Sequence, residues 1–328
     1  MSLLLLDRAY LEVKAEGDTL ALYEAGARRG TVPIKLIERC VVHGSQTSLT
    51  SGVLLKLAEA GVTTVFMSPR HSRRVATVLG PSHNDAAVRL AQAHRVMDDA
   101  ACRQWAHSLV LAKLHRQQRA LQHLIRQRPD ARKPMWDALQ TLQPIARSLQ
   151  PEPGSTPTLD TLRGKEGAAA RAYFSGLAGV MPPGLNFTGR NRRPPRDPVN
   201  ACLSLGYTML HVQAIAACQS AGLDPLLGFY HRPSFGRESL ASDLIEPLRP
   251  AVDLWAWEMF RSRTLREDHF TTTDGACLLG KAGRAIFYAS WERASKPLRR
   301  WLRLQTRHLA RQLRNQGMAW LQANDEDD

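Results

Sequence analysis

The chain has 328 residues and a formal net charge of +14, with 44% hydrophobic and 23% charged residues. This apolar content is ordinary for a globular protein and excludes an intrinsically disordered chain, which could not bury enough surface to offset the entropy cost of ordering. At roughly 100–200 residues per domain, the length predicts two domains. The excess of basic over acidic residues indicates a polyanionic partner. Nucleic acid is the first candidate and an anionic membrane surface is the second.

The cysteines and the N-terminal residues favour a cytoplasmic protein. The five cysteines are scattered and form no C-x-x-C pair, which argues against a disulfide framework and a thiolate zinc site. The apolar run Leu3–Leu6 ends at Asp7 and is too short for a signal peptide. No window approaches the ~20 apolar residues of a membrane span. We therefore expect buried, reduced thiols and no membrane partner.

Residues 1–80 are predicted to form a β-rich domain. Short apolar or alternating runs, separated by turn formers, predict its strands. These runs are Leu3–Leu6, Tyr10–Val13, Thr19–Tyr23, Thr31–Ile34, Val62–Met67 and Val75–Leu79. A helical pattern over Val53–Ala60 is closed by Gly61. Ten basic and seven acidic side chains give this region only +3, so the other +11 lies beyond residue 80.

Residues 81–320 are predicted to form an all-α domain, which makes the fold class α+β with two domains. The stretch 85–128 is rich in Ala, Leu, Gln and Arg with few breakers, and this pattern indicates helix. Basic residues recur at helical spacing between 293 and 314. The last residues, 321–328, are predicted to be a disordered acidic tail.

Loops that bind nucleotide phosphates are absent from the sequence. It contains neither G-x-x-x-x-G-K-[ST] nor G-x-G-x-x-G, so we expect no nucleotide cofactor. It also contains no G-x-S-x-G elbow and no H-E-x-x-H pair. Any catalytic chemistry must therefore come from other carboxylates and histidines.

Two segments place an acid and a histidine in unusual settings. Glu166 is predicted in the first turn of an alanine-rich helix, with Tyr173 seven residues later on the same face. The helix dipole alone favours an acid in a first turn, so a structural role stays open. Further on, an apolar segment with two glycines and a proline leads to His231, which we expect on a loop before the next helix. A structural hydrogen bond is the alternative role for this histidine.

A third segment pairs two acids. Asp243 and Glu246 are three residues apart on a predicted helix, which Pro247 is expected to end or kink. Carboxylates stacked in this way repel each other, and either a divalent cation or Arg249 would relieve the repulsion. Carboxylate and imidazole donors together suit Mn²⁺ or Mg²⁺.

In chain order, these segments resemble the CRISPR-associated adaptation integrase, the universal spacer-acquisition nuclease of CRISPR systems. The matching text covers residues 164–174, 193–207, 222–231 and 239–250. The text around Asp7, His43 and Gly80 also looks like that family, so the resemblance spans about residues 3–300. It implies a β-rich dimerisation domain followed by an α-helical, metal-dependent catalytic domain.

The resemblance also implies the site residues. Glu166, His231 and Glu246 would be the catalytic residues and the metal ligands. Asp243 occupies the preceding acidic position, where it is either a support or a rival for the third ligand. The other implied supports of the active-site wall are Tyr173, Asn200 and Tyr207. The side chains expected to contact DNA are Lys165, Arg190, Arg192, Arg193 and Arg196.

The implied activity is insertion of new spacers into a CRISPR array by transesterification with a DNA 3′-hydroxyl, dependent on Mn²⁺ or Mg²⁺. The implied partners are double-stranded DNA (prespacer and repeat), a second copy of the chain and a small ferredoxin-like CRISPR protein, in the cytoplasm of a prokaryote. Two other functions remain open: a non-catalytic DNA-binding scaffold of a defence complex, and an enzyme that is mainly a nuclease on branched DNA.

Overall fold

The computed structural model describes residues 3–43, 46–68, 74–80, 83, 85–151, 156–191 and 194–325. The chain divides into two units, and the second begins close to the predicted junction. One unit comprises residues 1–83 and 280–296, and the other comprises residues 84–279 and 297–328. Strands dominate the N-terminal region and helices dominate the C-terminal region, as the sequence predicts.

The first unit contains eight described strands and two helices. The strands are β1 (Leu3–Leu6), β2 (Leu11–Glu16), β3 (Thr19–Glu24), β4 (Ala27–Pro33), β5 (Arg39–Val42), β6 (Ser48–Leu49), β7 (Thr63–Met67) and β8 (Arg74–Val78), and the helices are α1 (Ser51–Glu59) and α9 (Lys281–Ala294). They form two four-stranded sheets, ordered β1-β5-β7-β8 and β4-β3-β2-β6. Strand β5 is buried along its whole length because it pairs in parallel with β1 and β7. In β2, Leu11 and Val13 face the core while Lys14 is exposed.

Helix α9 belongs to this first unit, although the sequence analysis assigned residues 281–294 to the C-terminal domain. Ion pairs account for its position. Arg284 binds Asp7 with its Nε 2.9 Å from a carboxylate oxygen, and Glu292 pairs with Arg39. These partners lie more than 250 positions apart in the chain, so periodicity does not reveal the pairing.

The second unit is mainly helical. Its helices are α2 (Ala86–Met97), α3 (Asp99–Gln127), α4 (Arg132–Arg147), α5 (Leu159–Ala178), α6 (Pro198–Ser220), α7 (Ser239–Ile245), α8 (Arg249–Arg261) and α10 (Lys296–Asp325). The predicted helical stretch 85–128 is divided at Asp98, whose carboxylate accepts from the amides of Ala100 and Ala101 and so begins α3. Helix α10 continues to Asp325, inside the stretch predicted as an acidic tail, and residues 326–328 lie outside the described residues.

The prediction of an all-α C-terminal domain is wrong in one respect. Strands β9 (Phe270–Thr273) and β10 (Ala276–Leu279) form an antiparallel hairpin. The turn residues Asp274 and Gly275 have φ of 52° and 73°, as a type I′ turn requires. The Asp-Gly pair between apolar and threonine-rich runs is a typical hairpin signal that the sequence analysis passed over.

Helix α6 is apolar on nearly every side. Within the described part of the chain it is long and apolar enough to span a membrane, which contradicts the prediction that no segment approaches that length. Its most apolar window is 78% buried inside the protein, so its composition is that of a core helix. All five cysteines are buried and unbridged, as predicted.

Helices α4 and α5 pack unusually closely. A Cβ added at Gly176 would lie 2.8 Å from the Cβ of Ala138, and one added at Gly179 would lie 2.3 Å from Pro134 Cγ. Since real Cβ atoms do not approach so closely, this packing requires glycine at position 176 in α5 and at position 179, the C-cap of α5.

Candidate metal centre

The predicted ligands come from three separate elements of the second unit. Glu166 lies on α5, His231 on the connection between α6 and α7, and Glu246 in a single 3₁₀ turn that follows α7. Helix α7 ends at Ile245, one residue before Glu246 and two before Pro247, so the predicted stop is confirmed.

The position of Glu166 in its helix corrects the sequence analysis. Helix α5 begins at Leu159, because the Thr158 hydroxyl accepts from the amide of Thr161 and caps it. Glu166 is therefore the eighth helical residue, in the third turn rather than the first. The helix dipole acts mainly within the first turn, so it does not explain this acid.

A lysine joins the two glutamates. The Nζ of Lys113, on α3, contacts Glu166 Oε1 and lies 2.5 Å from Glu246 Oε2. The lysine side chain is only 10% exposed, so both contacts are made largely away from water. Burial alone would lower the pKa of Lys113, but Glu246 and Glu166 raise it above its usual value. Two carboxylates thus converge on one buried cation.

The remaining oxygens of the two glutamates also have donors. The Tyr230 hydroxyl donates to Glu166 Oε2 at 2.6 Å, and Arg249 Nε donates to Glu246 Oε1 at 3.0 Å. Burial alone would raise the pKa of Glu246, but Arg249 and Lys113 outweigh burial and hold it well below its usual range. Glu246 is therefore a carboxylate at neutral pH, even though it is buried.

Asp243 is fully buried and holds the loop that carries His231. Its Oδ2 accepts from the amides of Phe229 and Tyr230 at 2.8 and 2.9 Å. Its Oδ1 accepts from the amide of His231 at 2.9 Å and lies 2.7 Å from His231 Nδ1. Both oxygens are thus engaged by the loop that carries His231. This geometry favours Asp243 as a support and Glu246 as the third candidate ligand.

The donor types of this centre fit a divalent cation. Since a carboxylate carries no proton, the bond to Asp243 Oδ1 places the His231 proton on Nδ1 and the lone pair on Nε2. Glu166 and Glu246 supply hard oxygen donors that already converge on a positive charge. In the described residues, no three His, Cys, Asp or Glu side chains are close enough together to hold an ion as placed. The ammonium of Lys113 is the bridging cation instead.

Tyr173 and Tyr207 share one buried acid behind the centre. Both hydroxyls donate to Asp253 on α8, Tyr207 to Oδ1 and Tyr173 to Oδ2 at 3.0 Å. The Arg249 guanidinium lies 4.5 Å from the ring centroid of Tyr207 and the Arg190 guanidinium lies 5.3 Å from it. Of the two predicted supporting tyrosines, Tyr207 contacts Arg249, which in turn binds Glu246, and Tyr173 binds the same Asp253 as Tyr207 does.

The shared acid predicts a pH effect on stability. Burial raises the pKa of Asp253 to about 6, against 3.8 for a free side chain, although the two tyrosines and Arg190 partly offset it. The folded state thus favours the protonated form. The contribution of protonated Asp253 to the free energy of unfolding is complete below pH 3.8 and is lost as the pH rises through 6. The loss is about 3 kcal/mol at ~1.4 kcal/mol per pKa unit. Urea unfolding from pH 4 to 7 should show this loss in the wild type and not in Asp253→Asn. Parallel profiles for the two proteins would contradict the assignment.

Asn200 organises the arginine-rich loop. Its Oδ1 accepts from Arg190 at 2.6 Å and from the amide of Asn191 at 3.0 Å, and its Nδ2 donates to Asp197 at 2.7 Å. The support role predicted for Asn200 thus has a geometric basis. The guanidinium of Arg190 also binds Ser204, so the predicted DNA contact of Arg190 would have to come from a side chain already engaged inside the protein.

The other predicted DNA contacts remain predictions. Lys165 is half-buried and donates to Ser148 Oγ at 2.6 Å, and Arg196 is exposed. Arg192 and Arg193 lie outside the described residues.

Lys113, Tyr230 and Asp253 belong to this centre but were not predicted as site residues. Lys113 lies 53 positions before Glu166 and 133 before Glu246, in a helix with many basic residues. Asp253 follows Glu246 by seven positions, a helical spacing that offered a weak signal.

Comparisons with known proteins identify the family of this chain. Residues 4–293 match the family of the CRISPR associated protein Cas1. The CRISPR-associated endonuclease Cas1 1 of Thermodesulfovibrio yellowstonii is 34% identical over 89% of this chain and 91% of its own. The CRISPR-associated endonuclease Cas1 2 of Rhodospirillum rubrum is 36% identical over 88% of this chain and 84% of its own.

Two solved structures share the fold. A Cas1 protein from Thermotoga maritima has a TM-score of 0.80 with 22% identity, covering 95% of this chain and 97% of its own. A casposase bound to integration product has a TM-score of 0.82 with 22% identity, covering 96% and 91% of the two chains. On the family match and the close relatives together, the chain belongs to the Cas1 family of CRISPR-associated proteins.

Proposed function

We propose that this protein is a metal-dependent DNA integrase and endonuclease that inserts new spacers into a CRISPR array. A prespacer 3′-hydroxyl attacks a phosphodiester at the edge of a repeat and displaces another 3′-oxygen. One phosphodiester is exchanged for another, so no nucleotide cofactor is required. Water in place of the hydroxyl gives hydrolysis. Family membership and relatives named as endonucleases support this proposal.

One observation carries the chemistry. Glu166 and Glu246 come from different elements and converge on a single cation, beside a histidine whose Nδ1 is held by Asp243. In this proposal Glu166, Glu246 and the Nε2 of His231 hold Mn²⁺ or Mg²⁺. A bound divalent ion supplies positive charge to the phosphate oxygens and lowers the pKa of the attacking hydroxyl.

The remaining residues of the centre keep these donors in place. Asp243 fixes the ring orientation and tautomer of His231, so that Nε2 rather than Nδ1 is the available ligand atom. Arg249 holds one oxygen of Glu246 and is itself fixed by the ring of Tyr207. The Tyr230 hydroxyl holds one oxygen of Glu166. Each carboxylate is thereby left with one oxygen directed into the centre.

Charge supports DNA as the substrate. The exposed arginines of α10 recur at spacings of three and four, so they form one stripe along the helix. They are Arg300, Arg303, Arg307, Arg311 and Arg314. Such a stripe suits the regularly spaced phosphates of a duplex and gives binding that weakens with salt. We propose that the protein acts as a homodimer with a small ferredoxin-like CRISPR partner in the cytoplasm of a prokaryote. A solved Cas6-RT-Cas1--Cas2 complex contains a chain with a related fold.

The direct test is strand transfer of a short duplex into a repeat-containing plasmid, with and without the small partner. We expect a joined product that requires Mn²⁺ and a donor with a 3′-hydroxyl. Glu166→Ala and His231→Ala should abolish joining, while duplex binding persists because the basic surface is unchanged. Asp160→Ala, a change at a fully exposed acid on the same helix α5, is the matched control. Joining at the wild-type rate by both site variants would contradict the proposal.

The two alternatives have separate tests. A non-catalytic scaffold would bind duplex DNA without a stoichiometric metal ion, whereas we expect one Mn²⁺ site that is lost in Glu246→Ala. An enzyme that is mainly a nuclease would release hydrolysed ends from branched DNA faster than it forms joined products. A donor that ends in a 3′-deoxynucleotide separates these outcomes, since it blocks joining and leaves hydrolysis of the target unaffected.

A further inference from the structure

Lys113 occupies a special place among the groups that surround the two glutamates. Each of their four carboxylate oxygens has a donor: two contact Lys113, one contacts Tyr230 and one contacts Arg249. Of these donors, Lys113 alone contacts both Glu166 and Glu246 in the described residues. An ion that bridged the same glutamates would therefore have to take over the oxygens that Lys113 now holds.

The other two donors do not obstruct the centre. Tyr230 and Arg249 bind the outer oxygens, one on each glutamate, and Arg249 is further held by the ring of Tyr207. The ammonium of Lys113, by contrast, lies at the end of a flexible four-carbon side chain. The neighbouring Glu166 side chain is 19% exposed. Displacement of the ammonium would therefore involve rotation of the lysine side chain rather than a change in the backbone of α3.

We propose that Lys113 is an internal competitor for the metal ion, and that divalent cation binding displaces its ammonium from Glu166 and Glu246. This inference rests on the proposed metal-dependent function. Lys113 and Arg249 already balance the charges of the two glutamates. Metal binding therefore requires the ion pairs of Lys113 with Glu166 and Glu246 to break, and this lowers the affinity for the metal. Removal of the lysine charge should strengthen metal binding, even though it removes contacts from the free protein.

The first experiment measures Mn²⁺ binding by calorimetry with EDTA-treated protein. Lys113→Met removes the charge while filling most of the buried volume, and we expect its Kd for Mn²⁺ to fall about tenfold or more, since one nearby positive charge is worth at least ~1.4 kcal/mol. Lys113→Arg keeps the charge and should show no such gain. Glu246→Ala should lose the site in either background.

The second experiment uses the wild-type protein, so it tests the proposal even if the Lys113→Met variant does not fold. Lysines are labelled with an amine-reactive reagent, with and without Mn²⁺, and each site is quantified by mass spectrometry. Labelling of Lys113 should rise several-fold when Mn²⁺ is present. Lys133 is 86% exposed and is the control whose labelling should not change.

The outcomes separate this inference from the proposed function. If the wild type binds Mn²⁺, but Lys113→Met binds it no more tightly and Lys113 labelling is unchanged, the competitor role is wrong and the metal centre stands. If neither the wild type nor Lys113→Met binds Mn²⁺, both proposals fail. Tighter binding by Lys113→Met together with metal-dependent labelling of Lys113 supports the competitor role.

Discussion

Replacing Asp243 with alanine is expected to lower the free energy of unfolding by about 4 kcal/mol and strand transfer by about a hundredfold. The carboxylate is fully buried and accepts four hydrogen bonds, three from the backbone amides of Phe229, Tyr230 and His231 and one from the His231 ring. Alanine leaves these donors buried without acceptors, each at a cost of about 1–3 kcal/mol before relaxation. It also frees the ring of His231 to rotate.

Chemical denaturation and the strand-transfer assay measure these two effects. Asp243→Asn separates them in part, because the amide keeps the volume and one acceptor oxygen but adds donors that face other donors. We expect Asn to be intermediate in stability and still strongly impaired in strand transfer. Asp160→Ala, at an exposed acid in the first turn of α5, should lower the free energy of unfolding by no more than about 1 kcal/mol. A fully active Asp243→Ala protein would show that the orientation of His231 is not set by this acid.

Gly228→Ala should lower the free energy of unfolding by about 2–3 kcal/mol through overpacking. An added Cβ would lie 2.5 Å from the carbonyl carbon of Ser239 and 2.7 Å from the amide nitrogen of Leu240. These are backbone atoms at the start of α7, and the Leu240 amide already donates to Pro225. The clash can be relieved only by separating the His231 loop from α7, so strand transfer should fall as well.

Gly164→Ala is the matched control for this variant. Nothing lies within 4 Å of a Cβ added at Gly164, and the residue is in the interior of α5. Alanine there should raise the free energy of unfolding by about 0.5–1 kcal/mol, because it restricts the unfolded chain and favours helix. If both variants changed stability equally, the close contact at Gly228 would not be the cause.

Local features of the chain were predictable from sequence where they depend on neighbouring residues. Five strands of the first unit (β1, β2, β3, β7 and β8), the helix closed by Gly61 and the end of α7 before Pro247 follow from turn formers and periodicity. Strands β5 and β6 were not predicted, and β4 begins at Ala27, four residues before the predicted run. The same holds for the position of His231 on a loop before a helix. The Asp274–Gly275 hairpin has an equally local sequence signal, so it was predictable from the sequence although the prediction of an all-α domain left it out.

The features that failed depend on contacts between distant residues. The ion pair of Lys113 with Glu246 spans 133 positions, and no local pattern distinguishes this lysine from the other basic residues of α3. The choice between Asp243 and Glu246 as a candidate ligand was open in the sequence because a regular helix would present both on one side. In the structure the two acids have different partners: Asp243 binds the loop that carries His231, and Glu246 binds Lys113 and Arg249.

The close packing at Gly176 and Gly179 has a consequence for the opposite end of α5. Those glycines allow α5 to pack against Ala138 and Pro134 of α4. Glu166 lies on the same helix ten residues before Gly176, about 15 Å away at ~1.5 Å per residue. Packing against α4 therefore helps to fix the position of Glu166, although none of the contacts described above for the centre comes from α4. A bulkier residue at either glycine would tilt α5, and the displacement would increase along the helix from Gly176 towards Glu166.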